Sequence, residues 1–186
     1  MARRRRAVFL DRDGVINAAV VRDGKPYPPV TLADFSILPG VAEACRLLHD
    51  AGFRLIVASN QPDVGRGQLD RAIVEDIHRA MCERLPIDRI EVCYDPGGTS
   101  SSEFRKPRPG MLLRAAEALD IDLSRSFMVG DRWRDIDCGH AAGCKTIFID
   151  RGYDEPLRMQ PDFTAPDLLE AARLIVSFER DASRCV

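Results

Sequence analysis

Long apolar runs, Cys-x-x-Cys pairs and histidine clusters are all missing from this 186-residue sequence. A bilayer span needs roughly 20 consecutive apolar residues, so we expect neither a membrane segment nor a membrane partner. The six cysteines have no paired spacing, which predicts reduced thiols and agrees with a cytoplasmic protein. We interpret the three histidines as surface or packing residues, and these are His49, His78 and His140.

An excess of charge of one sign is also missing. The net charge is -2, with 27 basic and 29 acidic residues, so there is no global attraction to nucleic acid. The run from Arg3 to Arg6 is a local basic patch, and such patches are usually solvated flanks. It does not begin a secretory signal, because Asp11 and Asp13 interrupt the following apolar stretch.

Short apolar runs are present, and they alternate with segments of helical periodicity. The runs predict strands at 8–10, 53–59, 90–94, 126–131 and 145–149. The alternation predicts a Rossmann-like parallel α/β sheet with helices on both faces. A chain of this length fits one domain, residues 1–186.

Several segments between these runs carry further expectations. Residues 15–40 contain four prolines and no periodicity, which predicts a loop or small hairpin that could form a flap over the site. Residues 62–67 are expected to form a turn, and residues 151–165 a loop. A helix over 69–85 is expected to bury Ile73, Ile77 and Met81, and Cys45 and Cys82 are placed on apolar helical faces.

The first apolar run ends in Asp11, Arg12, Asp13 and Gly14. Parallel sheets bind ligands beyond the carboxyl ends of their strands, so we expect Asp11 and Asp13 to face solvent there. An Asp-rich turn is one interpretation. A calcium loop would need its glycine at the sixth position, whereas Gly14 is fourth. In a third interpretation, Asp11 is a nucleophile that accepts a phosphoryl group, and Asp13 is its proton-transfer partner.

The second predicted strand delivers Ser59, Asn60 and Gln61 to a turn. Ser59 offers the hydroxyl group that a phosphoryl site needs. The backbone N–H groups of Asn60 and Gln61 could hold phosphate oxygens. Ordinary turn chemistry is the alternative for all three residues.

Basic residues amid prolines follow the third predicted strand, in the segment Arg105-Lys106-Pro107. Such segments are usually solvated linkers. This one directly precedes a predicted helix over 111–119, so a rigid turn could hold Lys106 against a phosphate and two aspartates. Lysine is a compact point charge, and Arg105 could grip oxygens bidentately.

The fourth predicted strand ends in Asp131, and Asp135 follows at the start of a helix. Spacing of i, i+4 predicts that both carboxylates lie on one side of that helix. Helix capping explains one acidic residue, whereas a second beside it indicates a metal ion or its bound waters. We interpret Trp133 as a packing residue.

Taken together and in this order, Asp-x-Asp-Gly, Ser, Arg-Lys-Pro and Gly-Asp-x-x-x-Asp resemble the haloacid dehalogenase-like phosphohydrolases, over about residues 7–150. Leu-Asp-Arg-Asp-Gly-Val-Ile-Asn, Ser-Asn-Gln and Arg-Lys-Pro-Arg-Pro-Gly-Met are similar to the heptose bisphosphate and histidinol phosphatase subfamily. The resemblance implies a minimal or absent cap.

The resemblance also implies roles for the individual residues. Asp11 would attack phosphorus, and Asp13 would protonate the leaving oxygen and then activate water. Ser59 and Lys106 would bind the transferring phosphoryl group. Arg105 would contact the substrate beyond that group.

The same resemblance implies a Mg²⁺ cofactor. Asp11, Asp131 and the Asp13 carbonyl would hold the ion, and Asp135 would act through metal-bound water.

Many members of the subfamily carry zinc on a loop built from a Cys-x-His and a Cys-x-Cys pair. This chain has Cys93-Tyr94-Asp95 and later Ser102-Glu103-Phe104, which leaves one of the four ligands. Structural zinc sites are four-coordinate, so we predict no zinc. The specificity loop over 95–104 is therefore altered.

The expected function is Mg²⁺-dependent hydrolysis of a small phosphorylated metabolite, D-glycero-D-manno-heptose 1,7-bisphosphate first. Histidinol phosphate or another sugar phosphate is the alternative substrate. A receiver-like signalling module is the alternative from a different class, with Asp95 as its only candidate phosphorylation site. We expect a monomer.

Overall fold

The computed structural model describes residues 4–23, 25–98 and 102–184. Some residues of the segments interpreted above lie outside these ranges, and they are Arg3, Gly24, residues 99–101 and Cys185. The strands are β1 (Arg6–Leu10), β2 (Val20–Arg22), β3 (Lys25–Tyr27), β4 (Phe53–Asn60), β5 (Arg89–Cys93), β6 (Phe127–Gly130), β7 (Lys145–Ile149) and β8 (Phe163–Ala165). The helices are α1 (Val41–Asp50), α2 (Pro62–Gly65), α3 (Arg71–Cys82), α4 (Gly110–Leu119), α5 (Trp133–Ala142) and α6 (Leu168–Arg184).

Six strands form one sheet in the order β5-β4-β1-β6-β7-β8, and every pairing is parallel. Alternate residues of β1 enter two separate apolar layers. Val8 and Leu10 pack with residues of α1, α3 and α6, whereas Ala7 and Phe9 pack with residues of α4 and α5. Because both faces of the strand are buried, its sequence is a continuous apolar run. The predicted α/β architecture is confirmed.

A small antiparallel hairpin of β2 and β3 lies within residues 15–40, and it pairs Val20 with Tyr27. A one-turn 3-10 helix, Leu32–Asp34, follows it. The hydroxyl of Thr31 accepts the backbone N–H of Asp34 at 3.3 Å and so caps that turn. The β2–β3 hairpin is the only sheet besides the six-stranded one in the described part of the chain.

Three elements differ from the sequence expectations. β8 lies in the predicted loop 151–165 and pairs with β7 at the sheet edge. It has only three residues and no apolar run, so its sequence does not predict a strand. The predicted turn over 62–67 contains α2, which begins at Pro62, a residue suited to the first helical position. The amphipathic pattern of residues 168–178 predicts a helix that ends at Phe178, whereas α6 continues to Arg184.

The buried stripe of α3 is shifted by one residue from the predicted one. Val74, Ile77 and Met81 are fully buried, whereas Ile73 is half-buried. His78 joins the stripe at 8% exposure, because positions 74, 77, 78 and 81 form one face of the helix.

The cysteines also differ in part. Cys45 is buried as expected, but Cys82 is exposed at the end of its helix, where the prediction of an apolar face is wrong. The described cysteines are all free thiols. No helix among the described residues is both long and apolar enough to cross a membrane.

Two adjacent leucines of α4 provide a test of this packing. Leu112 is 0% exposed and Leu113 is 48% exposed. We expect Leu112→Ala to lower the free energy of unfolding by about 2–5 kcal/mol, because it removes buried methylene groups and leaves a cavity. Leu113→Ala is the matched control and should change it by less than about 0.5 kcal/mol. Urea denaturation measures both, and equal effects would contradict the assignment of the α4 core face.

Candidate active site

The carboxyl ends of three adjacent strands carry the candidate site residues. Asp11 directly follows β1, Ser59 and Asn60 end β4, and Asp131 directly follows β6. β1 lies between β4 and β6 in the sheet, and parallel strands end at the same edge. The sheet therefore brings together residues that are far apart in the chain.

Lys106 is the buried cation of this site. Its Nζ lies 2.8 Å from Asp11 Oδ1 and 2.6 Å from Asp135 Oδ1, and it donates to the Ala58 carbonyl oxygen at 2.7 Å. These acceptors use all three donors of the ammonium group. Burial alone would lower the pKa of Lys106, but Asp11 and Asp135 overcome that effect and raise it above its ordinary value. Lys106 is therefore charged at neutral pH.

Asn60 fixes the backbone of Lys106. Its Nδ2 donates to the Lys106 carbonyl oxygen, and its Oδ1 accepts the Lys106 backbone N–H, both at 3.1 Å. This pair of bonds ties the Lys-Pro turn to the end of β4. The position of the lysine is thus set by the sheet.

Gln61 acts through its side chain in this structure. Its Nε2 donates to Asp13 Oδ2 at 2.7 Å and to Ser59 Oγ at 2.9 Å. Its backbone N–H donates to the carbonyl oxygen of Cys93 at 2.7 Å, because the chain continues the β4–β5 pairing. The backbone N–H of Gln61 is therefore already bonded, and the expectation that it holds a phosphate oxygen is wrong.

Asp11, Asp131 and Asp135 form a cluster of buried carboxylates, with one oxygen of each within 4.8 Å of the others. Burial raises the pKa of Asp131 well above its ordinary value, and the charges of Asp11 and Asp135 add to that effect. Burial also raises the pKa of Asp11 to about 6, although Lys106 opposes the shift. One ammonium group does not neutralise three carboxylates, and a bound cation would relieve their repulsion.

The donors of this cluster fit a hard divalent cation. Both oxygens of Asp131 are buried without a hydrogen bond of normal geometry among the described residues, and the hydroxyl of Tyr153 lies beside this carboxyl and opposes the rise in its pKa. Carboxylate oxygens are the ligands that Mg²⁺ prefers. Asp11, Asp131 and Asp135 can therefore hold a metal ion, whereas a softer metal would favour sulfur or imidazole ligands.

Two glycines allow the carboxylates to approach this closely. Gly14 has a φ of +90°, and a Cβ atom there would lie 1.8 Å from Asp131 Oδ2. A Cβ atom on Gly130 would lie 2.0 Å from the Cβ of Asp135. Any larger residue would displace the acids, which explains the glycine in Asp-x-Asp-Gly and in Gly-Asp.

The relation of Asp131 to Asp135 differs from the predicted one. Asp131 precedes α5 and Arg132 is the N-cap, so the two acids do not share a helical face. Asp135 lies in the first turn, where its Oδ2 accepts the backbone N–H of Arg132 at 3.1 Å. Its Oδ1 contacts Lys106 at the same time. Asp135 therefore both caps the helix and belongs to the acidic cluster.

The first two acids are less exposed than expected. Asp11 is 8% exposed and Asp13 is half-buried, because the chain after β1 folds back over them. The guanidinium of Arg12 donates to Asp13 from Nε at 3.1 Å and from Nη2 at 3.0 and 2.9 Å. Asn17 Nδ2 donates to Asp13 at 2.9 Å. Asp13 is thus held by donors from several side chains.

A pocket of about 270 Å³ opens beside these residues. Asp11, Asp13, Lys106 and Asp135 line it together with residues 26–28 of the hairpin segment. Four arginines also line it, and these are Arg66, Arg105, Arg132 and Arg134; the remaining lining residues are Asn60, Pro62 and Asp63. The pocket is therefore acidic where the cluster lies, and elsewhere its basic side chains outnumber the one acid.

Two carboxylates pair with three of the four arginines, and one of these pairs joins Arg66 to Asp63 at 3.0 Å. Arg132 pairs with both oxygens of Glu155, at 2.7 and 2.8 Å, and Arg134 lies 3.4 Å from the same carboxylate. Burial lowers the pKa of Arg134, and the neighbouring Arg132 lowers it further. Arg105 donates to the carbonyl oxygen of Asp95 at 2.7 Å. Positive charge is thus concentrated on this side of the pocket.

Sequence reasoning missed several residues of the site. Arg132 and Arg134 alternate with the acids in Gly-Asp-Arg-Trp-Arg-Asp, a pattern that could have indicated an anion-binding wall. Arg12 lies between two named acids and could have been suspected for the same reason. The contact of Arg12 with His78 spans 66 residues of sequence, and no local pattern predicts it.

Comparison with known proteins identifies the family. A model of HAD-hydrolase-like proteins matches residues 103–171. A D-glycero-D-manno-heptose-1,7-bisphosphate 7-phosphatase of Thermosynechococcus vestitus is 37% identical over 193 residues, which cover 92% of this chain and 95% of the relative. The chain belongs to the haloacid dehalogenase-like family. It is therefore a phosphoric monoester hydrolase, as the motifs predicted.

Further relatives agree with this assignment. The D-glycero-beta-D-manno-heptose-1,7-bisphosphate 7-phosphatase of Escherichia coli K12 is 37% identical over 163 residues, with 81% and 82% of the two chains covered. The crystal structure of a D,D-heptose 1,7-bisphosphate phosphatase from B. bronchiseptica, complexed with magnesium and phosphate, superposes with a TM-score of 0.77. That protein is 28% identical, and 92% of this chain and 98% of the other are covered.

Hydrogen bonds to Asp95 connect the described residues on either side of the predicted specificity loop. The carboxylate of Asp95 accepts the backbone N–H of Gly97 at 2.6 Å and that of Ser102. These bonds lower the pKa of Asp95, the bond from Ser102 most strongly. The absence of zinc stays a prediction.

Metal binding by the acidic cluster can be tested with Asp131→Asn. We expect Mg²⁺ at about 100 times its Kd to stabilise the wild-type protein by about 2.7 kcal/mol, or roughly 5–10 °C in Tm. The variant should lose this shift, because it removes one of the three carboxylates that would hold the ion. Its metal-free form should melt higher than metal-free wild type, since less like charge is buried.

Asp63→Asn is the control for this measurement, because Asp63 lines the pocket outside the acidic cluster. It should keep the full Mg²⁺-dependent shift in differential scanning fluorimetry. A normal shift in Asp131→Asn would contradict the proposed site.

Proposed function

We propose that the protein uses Mg²⁺ to remove one phosphate from D-glycero-D-manno-heptose 1,7-bisphosphate, with Asp11 as the nucleophile. The observation that carries this proposal is the contact of Lys106 with Asp11 and Asp135 beside an arginine-lined pocket. The activity named for the relatives supports the choice of substrate.

In the first step, Asp11 attacks phosphorus and the bond from phosphorus to the sugar oxygen breaks. Asp13 gives its proton to that oxygen, so the sugar leaves as a neutral alcohol. Lys106 contacts Asp11 and opposes the rise in its pKa, which favours the ionised nucleophile. The same ammonium group, with the hydroxyl of Ser59, can offset charge on the phosphoryl oxygens.

In the second step, Asp13 takes a proton from a water molecule that attacks the aspartyl-phosphate. The bond between phosphorus and Asp11 breaks, phosphate leaves, and the free carboxylate returns. Gln61 and Arg12 donate to the Asp13 carboxylate, and these contacts fix its position for the proton transfer.

The metal ion would be held by Asp11, Asp131 and the carbonyl oxygen of Asp13, with Asp135 acting through bound water. The three clustered carboxylates support this arrangement, and so do the buried oxygens of Asp131, which make no hydrogen bond of normal geometry within the described structure. When bound, Mg²⁺ would supply positive charge to the oxygens of the phosphoryl group.

The arginine side of the pocket supports a substrate with a second anionic group. Arg105, Arg132 and Arg134 line the pocket with Glu155 as the shared partner of two of them. A second phosphate would find bidentate donors there. Histidinol phosphate carries an ammonium group instead, which these guanidinium groups would repel, so it fits the pocket less well.

We also propose that the chain forms one domain with the hairpin as a flap over the site. Pro26, Tyr27 and Pro28 line the pocket from that segment, which supports a role in enclosing the substrate. A monomeric state and a cytoplasmic location stay predictions. The receiver-like alternative loses its basis, because Asp95 is bonded within its own loop and the family is a hydrolase family.

The nucleophile can be tested with Asp11→Asn, which keeps an oxygen for Lys106 but cannot form the aspartyl-phosphate. We expect phosphate release to fall on the order of 10³-fold or more, with an unchanged circular dichroism spectrum. Asp76→Asn makes the same chemical change on an exposed helix and should keep full activity. Activity within tenfold of wild type in Asp11→Asn would remove Asp11 from the mechanism.

Recognition of a second phosphate can be tested with Arg105→Ala. We expect kcat/KM to fall about 10–100-fold for the heptose bisphosphate, because one charge-assisted contact contributes about 1.5–3 kcal/mol. For a heptose 7-monophosphate the loss should stay within about threefold, since that substrate lacks the group Arg105 binds. Arg79→Ala removes an exposed guanidinium from α3 and is the charge-matched control. Equal losses on both substrates would contradict the proposed contact.

A further inference from the structure

His78 lies on α3, outside the motifs that define the site, yet it reaches the site through one contact. Its Nε2 lies 3.2 Å from Nη1 of Arg12, and its side chain is buried at 8% exposure. A buried imidazole needs a hydrogen-bond partner, and the partner of His78 is a guanidinium that also binds a site aspartate. The contact therefore requires an explanation of its own.

The direction of this hydrogen bond follows from the chemistry of the two groups. A guanidinium group has donors and no acceptor, so Nε2 of His78 must accept and the ring proton must lie on Nδ1. Burial lowers the pKa of His78 to about 4, and the charge of Arg12 adds to that effect. The imidazole is neutral at neutral pH, as an acceptor must be.

Arg12 divides its donors between His78 and Asp13. Nη1 is paired with His78, whereas Nε and Nη2 are paired with the carboxylate of Asp13. Arg12 is 0% exposed, and a buried cation that loses an acceptor must move or admit water. Any such movement would carry the opposite edge of the planar group, and with it Asp13.

We propose that His78 is a positioning residue, which holds Arg12 so that Arg12 in turn fixes Asp13 for both proton transfers. The inference rests on the acid and base role proposed for Asp13. Misplacement of a catalytic group by about 1 Å can lower a rate on the order of 100-fold. The loss of His78 should therefore slow proton transfer and leave substrate binding unchanged.

Two substrates separate this role from a purely structural one. The sugar oxygen of the heptose bisphosphate is a poor leaving group and needs a proton from Asp13. The aryl oxygen of p-nitrophenyl phosphate leaves without one, so its first step depends little on Asp13. Hydrolysis of the aspartyl-phosphate needs Asp13 as a base with either substrate.

For His78→Leu we expect kcat on the heptose bisphosphate to fall about 10–100-fold with KM within twofold. With p-nitrophenyl phosphate we expect a burst of nitrophenolate followed by a slow steady state, because the aspartyl-phosphate accumulates. A structural defect would instead reduce the burst amplitude, which counts active molecules. Wild-type kinetics in a folded His78→Leu protein would overturn the proposal, and so would losses of equal size in every step.

Matched variants complete the experiment. Ile77→Val removes a buried methylene group from the same helix without touching Arg12, and should keep wild-type kinetics. His78→Gln retains an acceptor and should recover most of kcat. If His78→Leu does not fold, His78→Asn replaces it, because its amide is polar but too short to reach Arg12. The same kinetic pattern is then expected, and wild-type behaviour would again overturn the proposal.

Asp13→Asn separates a failure of this inference from a failure of the proposed function. It should show the same dependence on the leaving group, and more strongly. If Asp13→Asn shows no such dependence, the acid and base assignment is wrong. If it does and His78→Leu does not, the positioning role of His78 is wrong.

Discussion

Three buried carboxylates surround one buried ammonium group, and the rest of the site depends on this unequal balance. Asp11, Asp131 and Asp135 meet within the reach of one cation, and Lys106 contacts two of them. Burial of unpaired charge costs several kcal/mol, so the cluster persists only where the fold holds it firmly. The raised pKa of Asp131, whose carboxylate is buried beside those of Asp11 and Asp135, is a result of the same deficit.

Strands and a helix of the fold hold the members of the acidic cluster in place. Asp11 and Asp131 directly follow adjacent strands whose apolar residues are buried, so their backbone positions are fixed by the sheet. Asp135 is fixed by the first turn of α5. Lys106 lies on a loop, but the paired bonds to Asn60 tie its backbone to β4. Sites built on strands and helix ends are held more closely than sites on loops alone, which suits a reaction that depends on alignment.

The sequence predicts those parts of the structure that leave a local pattern. β7 was predicted at its observed bounds, because a buried parallel strand is a continuous apolar run. β8 has three residues at the sheet edge, and its position is determined by pairing with β7. The acids and Lys106 were predicted because their motifs follow strands. Partners such as His78 for Arg12, or Cys93 for the backbone of Gln61, depend on which elements pack together, and one sequence does not contain that information.

The two sides of the pocket are held in different ways. The carboxylate of Asp95 joins the two sides of its loop through backbone N–H groups, and its carbonyl oxygen accepts from Arg105. Each such hydrogen bond contributes only about 1 kcal/mol, so the position of Arg105 depends on several weak contacts. The acidic cluster is held by the sheet and by α5, and any substitution there changes the balance of buried charge around Lys106. In the proposed function, the reaction therefore depends on the ends of the strands, and recognition of the substrate depends on the arginines of the pocket.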